Sequence, residues 1–358
     1  ISCTFVRADL QTDPPKNQRL EAYSLKTPSY RKTSESFSEL IQHPASPISF
    51  EQKEPVIVYF INPTLQISDY WRRNQIAFER RLDELGIKYI IRIHDIKTNS
   101  PEEQKQRLLH RALSDEPNFI ILTLDAAPDV AFIDAMLKPT KTQLIVLNVT
   151  EPILSWGTYQ PLIYVGFDHV LGTKMLANYF IETFPKNSKF AVNNFYPSYI
   201  SQFRGDKFID IVSKKNMFNL LSHEHTQATH GSARTVTRTL IDEHPDVDFI
   251  YSCSTDIALG TSNELKSLGR SDIKLNGWGG GTEELEAIKR KELAVTVMRM
   301  NDDNGVAMAE AVKLSLEKKQ QSIPLVYSGE FQLVTTETSS SDIAEFKKQA
   351  FRYSGLDL

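Results

Sequence analysis

The sequence has little of what several common functions require. Only two cysteines occur among 358 residues, too few for a disulfide framework or a cysteine-rich zinc site. The 41 Lys and Arg nearly balance the 45 Asp and Glu, so the net charge of −4 leaves no basic field for nucleic acid. No stretch approaches the ~20 consecutive apolar residues of a membrane span. We therefore predict neither a nucleic-acid partner nor a direct membrane span.

Motifs of nucleotide and acyl-transfer chemistry are also missing. The patterns G-x-G-x-x-G, G-x-x-x-x-G-K-[ST] and G-x-S-x-G do not occur. His223, His225 and His230 have a loose metal-like spacing, but a metal site needs further fixed ligands and a second shell. Neither paired catalytic carboxylates nor an activated nucleophile can be singled out. We predict a protein that is not an enzyme and has no metal or cofactor.

From Pro55 onward, apolar strands alternate with amphipathic helices. A first strand at 56–61 and a helix at 68–86 are followed by strands at 87–93, 119–124, 143–148, 162–166, 189–195, 218–224, 247–252, 272–276, 293–299 and 325–333. Helices are predicted at 101–115, 128–138, 170–184, 199–215, 230–243, 255–268, 282–291, 303–319 and 340–351. This pattern predicts a doubly wound α/β fold with mostly parallel sheets. So many strands favour two lobes over one small sheet.

Residues 1–50 differ in composition from the rest. They are rich in Ser, Thr, Pro, Gln and Lys and lack sustained periodicity, which predicts an N-terminal extension that is draped on the surface or partly disordered. Ile1-Ser2-Cys3 fits the end of a lipoprotein signal with Cys3 lipidated. A chance cysteine in an extension is the alternative that we favour.

A glycine-rich turn after one predicted strand carries a tryptophan. Asn276-Gly277-Trp278-Gly279-Gly280-Gly281 follows the apolar run 273–275, and the next apolar run ends at Arg299. Five of the 15 glycines lie between Gly269 and Gly281, which predicts a turn made for close backbone approach. Ligands of open α/β sheets bind at the carboxyl ends of strands. The aromatic face and the guanidinium therefore predict a site for a small, oxygen-rich, anionic ligand.

Other polar segments at strand ends have simpler explanations beside a ligand role. Gln66-Ile67-Ser68-Asp69-Tyr70-Trp71 follows the first strand, and its Ser or Asp could cap the next helix. Asn148 could be a turn residue or an amide that binds a polyol. Ser254-Thr255-Asp256 opens a helix, which one of the three is expected to cap. Arg204 lies in a predicted helix, where it would most often be a solvated charge.

In order and spacing, these segments resemble the LuxP family of receptors for the quorum-sensing signal autoinducer-2, within the type I periplasmic binding proteins. The resemblance runs from about Pro55 to Tyr353. It implies two Rossmann-like lobes joined by three crossover segments, near Gly166, near Arg299 and near Ser328-Gly329. The implied N-terminal lobe is 51–165 plus 300–328, and the C-terminal lobe is 166–299 plus 329–358.

The resemblance also implies a ligand site, a location and a partner. The implied pocket residues are Gln66, Ser68, Trp71, Asn148, Arg204, Thr255, Asp256, Trp278 and Arg299. The family's ligand is the autoinducer-2 furanosyl borate diester, a monoanion that the two arginines neutralise while the two tryptophans cover its apolar faces. The implied protein lies in the periplasm, closes its lobes on the ligand, and passes the signal to a LuxQ-type membrane sensor histidine kinase.

Two other functions remain open from the sequence. The first is a periplasmic binding protein for a plain sugar or boron-free autoinducer-2, serving a transporter or chemoreceptor. The second is a LacI-type transcription regulator, which shares this fold but needs an N-terminal helix-turn-helix. Residues 1–50 show no such pattern.

Overall fold

The computed structural model describes residues 20, 23–24, 27–64, 66–97, 100–124 and 129–356. The strands are β1 (Val56–Thr64), β2 (Tyr89–Lys97), β3 (Phe119–Leu122), β4 (Gln143–Leu147), β5 (Ile163–Gly166), β6 (Lys189–Asn194), β7 (Asn219–His225), β8 (Phe249–Ser252), β9 (Lys274–Leu275), β10 (Val295–Arg299), β11 (Val326–Ser328) and β12 (Phe331–Thr335). The α-helices are α1 (Pro28–Gln42), α2 (Tyr70–Glu84), α3 (Glu102–Leu113), α4 (Val130–Leu137), α5 (His169–Thr183), α6 (Lys207–Lys214), α7 (His230–Glu243), α8 (Thr255–Ser267), α9 (Thr282–Lys289), α10 (Asp302–Leu316) and α11 (Ser340–Ala350).

The first lobe contains a six-stranded parallel sheet in the order β11-β5-β4-β3-β1-β2. Strands β3 and β5 are buried at every position. Helices cover both faces of such a sheet, which is why its strands are continuous apolar runs. The reversal of strand order lies between β1 and β3, and it opens a crevice at their carboxyl ends.

The second lobe repeats this arrangement. Its parallel strands follow the order β7-β6-β8-β9. Single bridges from Asn276 to Val295 and from Gly279 to Met298 join this sheet to β10, which pairs antiparallel with β12. The chain therefore has the predicted α/β fold with parallel sheets and two lobes.

The chain passes between the two sheet systems at three places. It leaves the first after β5, returns from β10 through α10 to β11, and leaves again between β11 and β12. The single strand predicted at 325–333 is therefore wrong, because two strands of different sheets meet there. Gly329 separates them, and a side chain at that position would overlap the ring of Phe167. The residue boundaries given for the lobes stay a prediction.

The N-terminal extension contains a helix that the composition did not reveal. Helix α1 buries Phe37 and Ile41 in the core of the first lobe. The ring of Phe37 lies 6.1 Å from that of Tyr327 in β11, and the hydroxyl of Tyr30 donates to the carbonyl of Val326 at 3.0 Å. The expectation of a merely draped or disordered segment is wrong for residues 28–42, since their apolar side chains pack on the strand at the crossover. Cys3 lies outside the described residues.

No helix in the described part of the chain is long and apolar enough to cross a membrane.

Candidate functional site

All nine residues predicted for the ligand site lie around one pocket between the two lobes. The space between its atoms is about 520 Å³, part of it open to solvent. The pocket is lined by Pro63, Gln66, Ser68, Tyr70, Trp71, Asn148, Phe195, Ile200, Arg204, Ala228, Ser254, Thr255, Asp256, Trp278 and Arg299. Each side chain follows the carboxyl end of a strand or lies near it. That these residues bind a ligand stays a prediction.

The wall from the first lobe is formed by the segment after β1. The indole nitrogen of Trp71 donates to the side-chain oxygen of Gln66 at 2.8 Å, so this bond fixes the two side chains relative to each other. The hydroxyl of Ser68 accepts from the backbone amide of Tyr70 at 3.4 Å. Ser68 therefore supports the start of α2, as expected, while its side chain still faces the pocket.

Asp69 occupies the N-cap position of α2, yet within the described residues its side chain makes no capping bond to the backbone amides of that helix. Its carboxylate instead accepts from Arg73 at 2.7 Å and from the hydroxyl and amide of Thr282 at 3.0 and 3.2 Å. Thr282 begins α9 of the other lobe. Of the two capping candidates, Ser68 and Asp69, Asp69 is therefore the wrong one, because its carboxylate joins the two lobes instead.

The segment after β8 makes a second contact across the cleft. The carboxylate of Asp256 accepts from the backbone amides of Ile67 and Ser68 at 2.8 and 3.4 Å. Burial raises the pKa of Asp256, and these two hydrogen bonds partly offset that effect. Asp256 therefore holds the first-lobe loop against the second lobe.

The expected side-chain cap of α8 is absent from the described structure. Ser254 occupies the cap position without a capping bond, and its buried hydroxyl has no hydrogen-bond partner among the described residues. Thr255 donates to the carbonyl of Trp278 at 3.2 Å. The expectation fails because the three side chains point to the pocket and the opposite lobe.

Asn148 is buried and has a left-handed backbone, with φ of 65°. Asparagine tolerates this conformation better than most residues, so the turn interpretation is correct. Its side-chain oxygen has no partner in the described part of the chain. Turn and pocket roles thus coexist, and the amide offers an unused acceptor to a hydroxyl group.

Arg204 is only 4 % exposed, so a solvated charge is the wrong description. The helix predicted at 199–215 begins with a π-helical turn, Ser201–Asp206, before α6. Such turns change the direction of side chains and are frequent at functional sites. The guanidinium lies 3.6 Å from the ring centre of Trp278 and donates to the carbonyl of Cys253 at 3.0 Å and to His169 at 3.1 Å. A ligand cannot stack on the face of Trp278 that Arg204 occupies. This limits the predicted role of Trp278, which was to cover an apolar face of the ligand.

A buried carboxylate holds the glycine-rich turn. Glu284 accepts from the backbone amides of Trp278 and Gly280 at 2.9 and 2.8 Å and from the hydroxyl of Thr296 at 2.5 Å. Gly280 has φ of 66°, and a Cβ there would overlap the backbone of Met298. The turn therefore needs glycine because of its backbone conformation and the lack of space for a side chain, and Glu284 accepts the hydrogen bonds of its backbone amides.

Arg299 is the clearest electrostatic feature of the pocket. It is 6 % exposed, its guanidinium stacks 4.1 Å from the ring centre of Tyr70, and its Nε has no hydrogen-bond partner among the described residues. No ion pair of Arg299 occurs within that part of the chain. Burial lowers the pKa of Arg299, because desolvation disfavours a charged group. A buried, unpaired cation at a pocket wall creates a site for negative charge.

Three pocket features were missed from the sequence. Glu284 had a usable signal, since it is the third residue of α9, a position where Glu often bonds to nearby amides. The ring of Tyr70 stacks on the guanidinium of Arg299, but in the sequence Tyr70 resembles an ordinary helix residue. His169, which bonds to Arg204, had no local signal at all. Among the described residues, no group of three or more His, Cys, Asp and Glu could hold a metal ion.

Comparison with known proteins places the chain in a family. Residues 58–320 match the periplasmic binding protein domain, which is well over half of the 358 residues, and the chain therefore belongs to that family. Membership implies a periplasmic location. It also agrees with a binding function, since the relatives described next are binding proteins by name.

Three similar proteins show how far this likeness extends. The ribose import binding protein RbsB of Salmonella typhimurium is 26 % identical over 166 residues, which is 45 % of this chain and 55 % of that protein. The chain thus spans about half the length of this curated relative. A D-apiose import binding protein of Paraburkholderia graminis is 22 % identical over 65 % of this chain and 72 % of its own.

A solved structure has the same fold. An ABC transporter solute binding protein from Agrobacterium vitis, bound with α-D-tagatopyranose, has a TM-score of 0.70 at 16 % identity and covers 81 % of this chain and 98 % of its own. At this identity the likeness concerns the fold alone.

Proposed function

We propose that this chain is a periplasmic receptor that encloses a small, ring-shaped, oxygen-rich ligand between its two lobes. The relatives are named for ribose and D-apiose, which are small sugars, and this supports the general class of ligand. The pocket offers the matching chemistry, with an amide at Asn148, a hydroxyl at Ser254 and aromatic surface at Trp71. Sugar sites combine such hydrogen-bonding groups with flat apolar faces.

For the particular ligand, we propose autoinducer-2 as its furanosyl borate diester. The observation that carries this proposal is the buried guanidinium of Arg299, which faces the pocket without a carboxylate partner in the described structure. A neutral sugar would leave that charge uncompensated, whereas a borate monoanion would pair with it. Arg204 lines the same pocket and adds a second positive charge.

The alternative is a plain sugar, or autoinducer-2 without boron, for uptake by a transporter. The names of the relatives favour this alternative, because they are import proteins for neutral sugars. Charge separates the two candidates, since only the borate diester is anionic. We prefer the anion because burying two positively charged side chains costs free energy, which an anionic ligand would offset and a neutral ring would not.

Ligand binding would act through lobe closure. Asp256 and Asp69 join the lobes by hydrogen bonds to residues 67, 68 and 282. A ligand that touches both lobes adds contacts available only in the closed form, and it therefore shifts the population toward closure. From the family resemblance alone, we propose that a LuxQ-type membrane sensor histidine kinase recognises the closed form.

Titration calorimetry tests the ligand assignment. We expect autoinducer-2 to bind at least ten times more tightly with borate than without it, because one charge-assisted hydrogen bond contributes about 1.5–3 kcal/mol. D-ribose without borate serves as the neutral comparison, because its cis-diol would itself form an anionic ester with borate. Equal affinities with and without borate would rule out the borate diester. Tight D-ribose binding in the absence of borate would instead establish the sugar-import alternative.

A second experiment tests the partner. The purified protein would be mixed with the periplasmic domain of a LuxQ-type kinase, with and without ligand, and association measured by light scattering. We expect the ligand to change the affinity of the complex. An absence of association in both states would refute the proposed partner.

A further inference from the structure

We propose that His169 is a positioning residue that holds Arg204 in its ligand-facing orientation and couples it to Asn148 of the opposite wall. His169 is fully buried behind the pocket wall and does not line the cavity. Its two ring nitrogens contact two pocket residues, Nδ1 at 3.1 Å from Nε of Arg204 and Nε2 at 3.1 Å from the backbone carbonyl of Asn148. This inference rests on the proposed function, because it assigns Arg204 to an anionic ligand.

The two contacts determine where the imidazole carries its proton. An arginine can only donate a hydrogen bond, so Nδ1 must accept and must be unprotonated. A backbone carbonyl can only accept, so Nε2 must carry the proton and donate. His169 is therefore neutral, with its proton on Nε2, because no other tautomer or charge state satisfies both neighbours.

The surroundings favour the same neutral state. Complete burial and the adjacent Arg204 lower the pKa of His169 well below its usual range. His169 is also the first residue of α5, and the positive end of a helix disfavours an imidazolium. The ring lies 5.4 Å, between ring centres, from both Trp278 and Tyr199, so it has little room to turn.

This arrangement fixes the guanidinium of Arg204 on several sides. Nε is held by His169, Nη1 by the carbonyl of Cys253, and one face by the indole of Trp278. With Nε and Nη1 both held, the plane of the group and the direction of Nη2 are set. A guanidinium that is already oriented loses less conformational entropy on binding, which raises affinity.

The hydrogen bond to the carbonyl of Asn148 gives His169 a second role. Asn148 follows β4 of the first lobe, whereas Arg204 follows β6 of the second. The imidazole thus connects the backbone that presents one pocket amide with the cation on the other side. A displacement of either residue would be transmitted through a group that is hydrogen-bonded at both ends.

A matched pair of substitutions separates the two contacts. In His169→Asn the side-chain oxygen can occupy the position of Nδ1 and accept from Arg204, while the contact to Asn148 is lost. In His169→Gln the terminal amide nitrogen can reach the position of Nε2 and donate to Asn148, while Arg204 loses its acceptor. The two variants are similar in size and polarity, so a purely structural role would affect them alike.

The first readout is the affinity for autoinducer-2 with borate, measured beside D-ribose. We expect His169→Gln to weaken binding of the borate form about tenfold, the loss of one hydrogen bond to a charged group, and His169→Asn by less than about threefold. We expect D-ribose affinity to change little in either variant. Equal losses in the two variants would overturn the positioning role.

The second readout needs no ligand and does not depend on the proposed function. In ¹⁵N-histidine spectra of the ligand-free wild-type protein, we expect one histidine, absent from the His169→Asn spectrum, with Nδ1 unprotonated and Nε2 protonated. The His169→Gln spectrum gives the same assignment if His169→Asn does not fold, and a proton on Nδ1 of the assigned histidine would refute the hydrogen-bond assignment. If this tautomer is found but borate does not raise affinity, the proposed ligand is wrong and the Arg204–His169 contact stands.

Discussion

Arg299→Met is the substitution that most directly tests the electrostatics of the pocket. Methionine keeps much of the length of arginine and its apolar stem but removes the charge and every donor. Because Arg299 is buried and has no ion-pair partner in the described structure, we expect opposite effects on binding and on stability. Binding of an anion should weaken, whereas the ligand-free protein should become more stable.

The size of both effects follows from the contacts of Arg299. Loss of a hydrogen bond to a charged group, about 1.5–3 kcal/mol, corresponds to about 10- to 140-fold weaker binding of the borate diester. An unsatisfied buried donor costs about 1–3 kcal/mol, and more when it is charged. The stacking of Arg299 on Tyr70 offsets about 0.5–2 kcal/mol of that. We therefore expect the free energy of unfolding to rise by about 1 kcal/mol.

Titration calorimetry and urea unfolding of the ligand-free protein measure these quantities. Arg290→Met is the matched control, because Arg290 is half exposed and pairs with Glu292 on the surface of the same lobe. The control should leave both affinity and stability within about 0.5 kcal/mol of the original. Unchanged binding of the borate form by Arg299→Met, or a loss of more than about 1 kcal/mol in the stability of the ligand-free variant, would refute this electrostatic role of Arg299.

Further predictions concern the turn and one buried carboxyl. Gly280→Ala should lower the free energy of unfolding, measured with urea, by more than about 2 kcal/mol, because the new Cβ would overlap Met298. Gly269 has a similar positive φ but open space around it, so Gly269→Ala should cost only about 1 kcal/mol. Equal costs for the two variants would contradict the overlap with Met298. Glu284→Gln should lower the free energy of unfolding by about 2–3 kcal/mol, since an amide cannot accept all three of its hydrogen bonds, and an unchanged stability would refute that role for the carboxylate. Burial raises the pKa of Asp302 to about 6. The contribution of Asp302 to the free energy of unfolding is therefore fully present below pH ~4, where the carboxyl is protonated in both the folded and the unfolded state, and it is lost as the pH rises through ~6. Asp302→Asn should therefore stabilise the protein by up to ~3 kcal/mol above pH ~7 but not below pH ~4, and urea unfolding at a series of pH values that shows a constant difference would refute this.

Much of the fold could be predicted because its signals are local. The run 56–61 is apolar throughout because parallel strands are covered on both faces, and the helical spacing of 68–86 follows from one buried side. The errors arose where local patterns were ambiguous. Residues 325–333 form a continuous β-like run, yet Gly329 divides it between two sheets. Helix α1 was hidden by polar composition although Phe37 and Ile41 lie at helical spacing.

The candidate site could be predicted in its membership but not in its bonding. Side chains at strand ends share one edge of a sheet, so Trp278 and Arg299 could be expected near each other from topology. The bonds of Asp69 and Asp256 to the opposite lobe could not, because each partner is about 190 residues or more away in sequence. Both were among the candidates for a helix cap, which is the shortest-range explanation of a polar residue at a strand end.

The sequence by itself determined the alternation of strands and helices, the two lobes, and the residue types that gather at the strand ends. These properties depend on periodicity and chain topology, which are written along the chain. Only the tertiary structure decided that Arg299 is buried without an ion-pair partner among the described residues, that Arg204 stacks on Trp278, and that His169 connects the walls of the pocket. Burial and hydrogen bonding depend on atoms brought together from distant segments, and the charge state of a side chain follows from those neighbours.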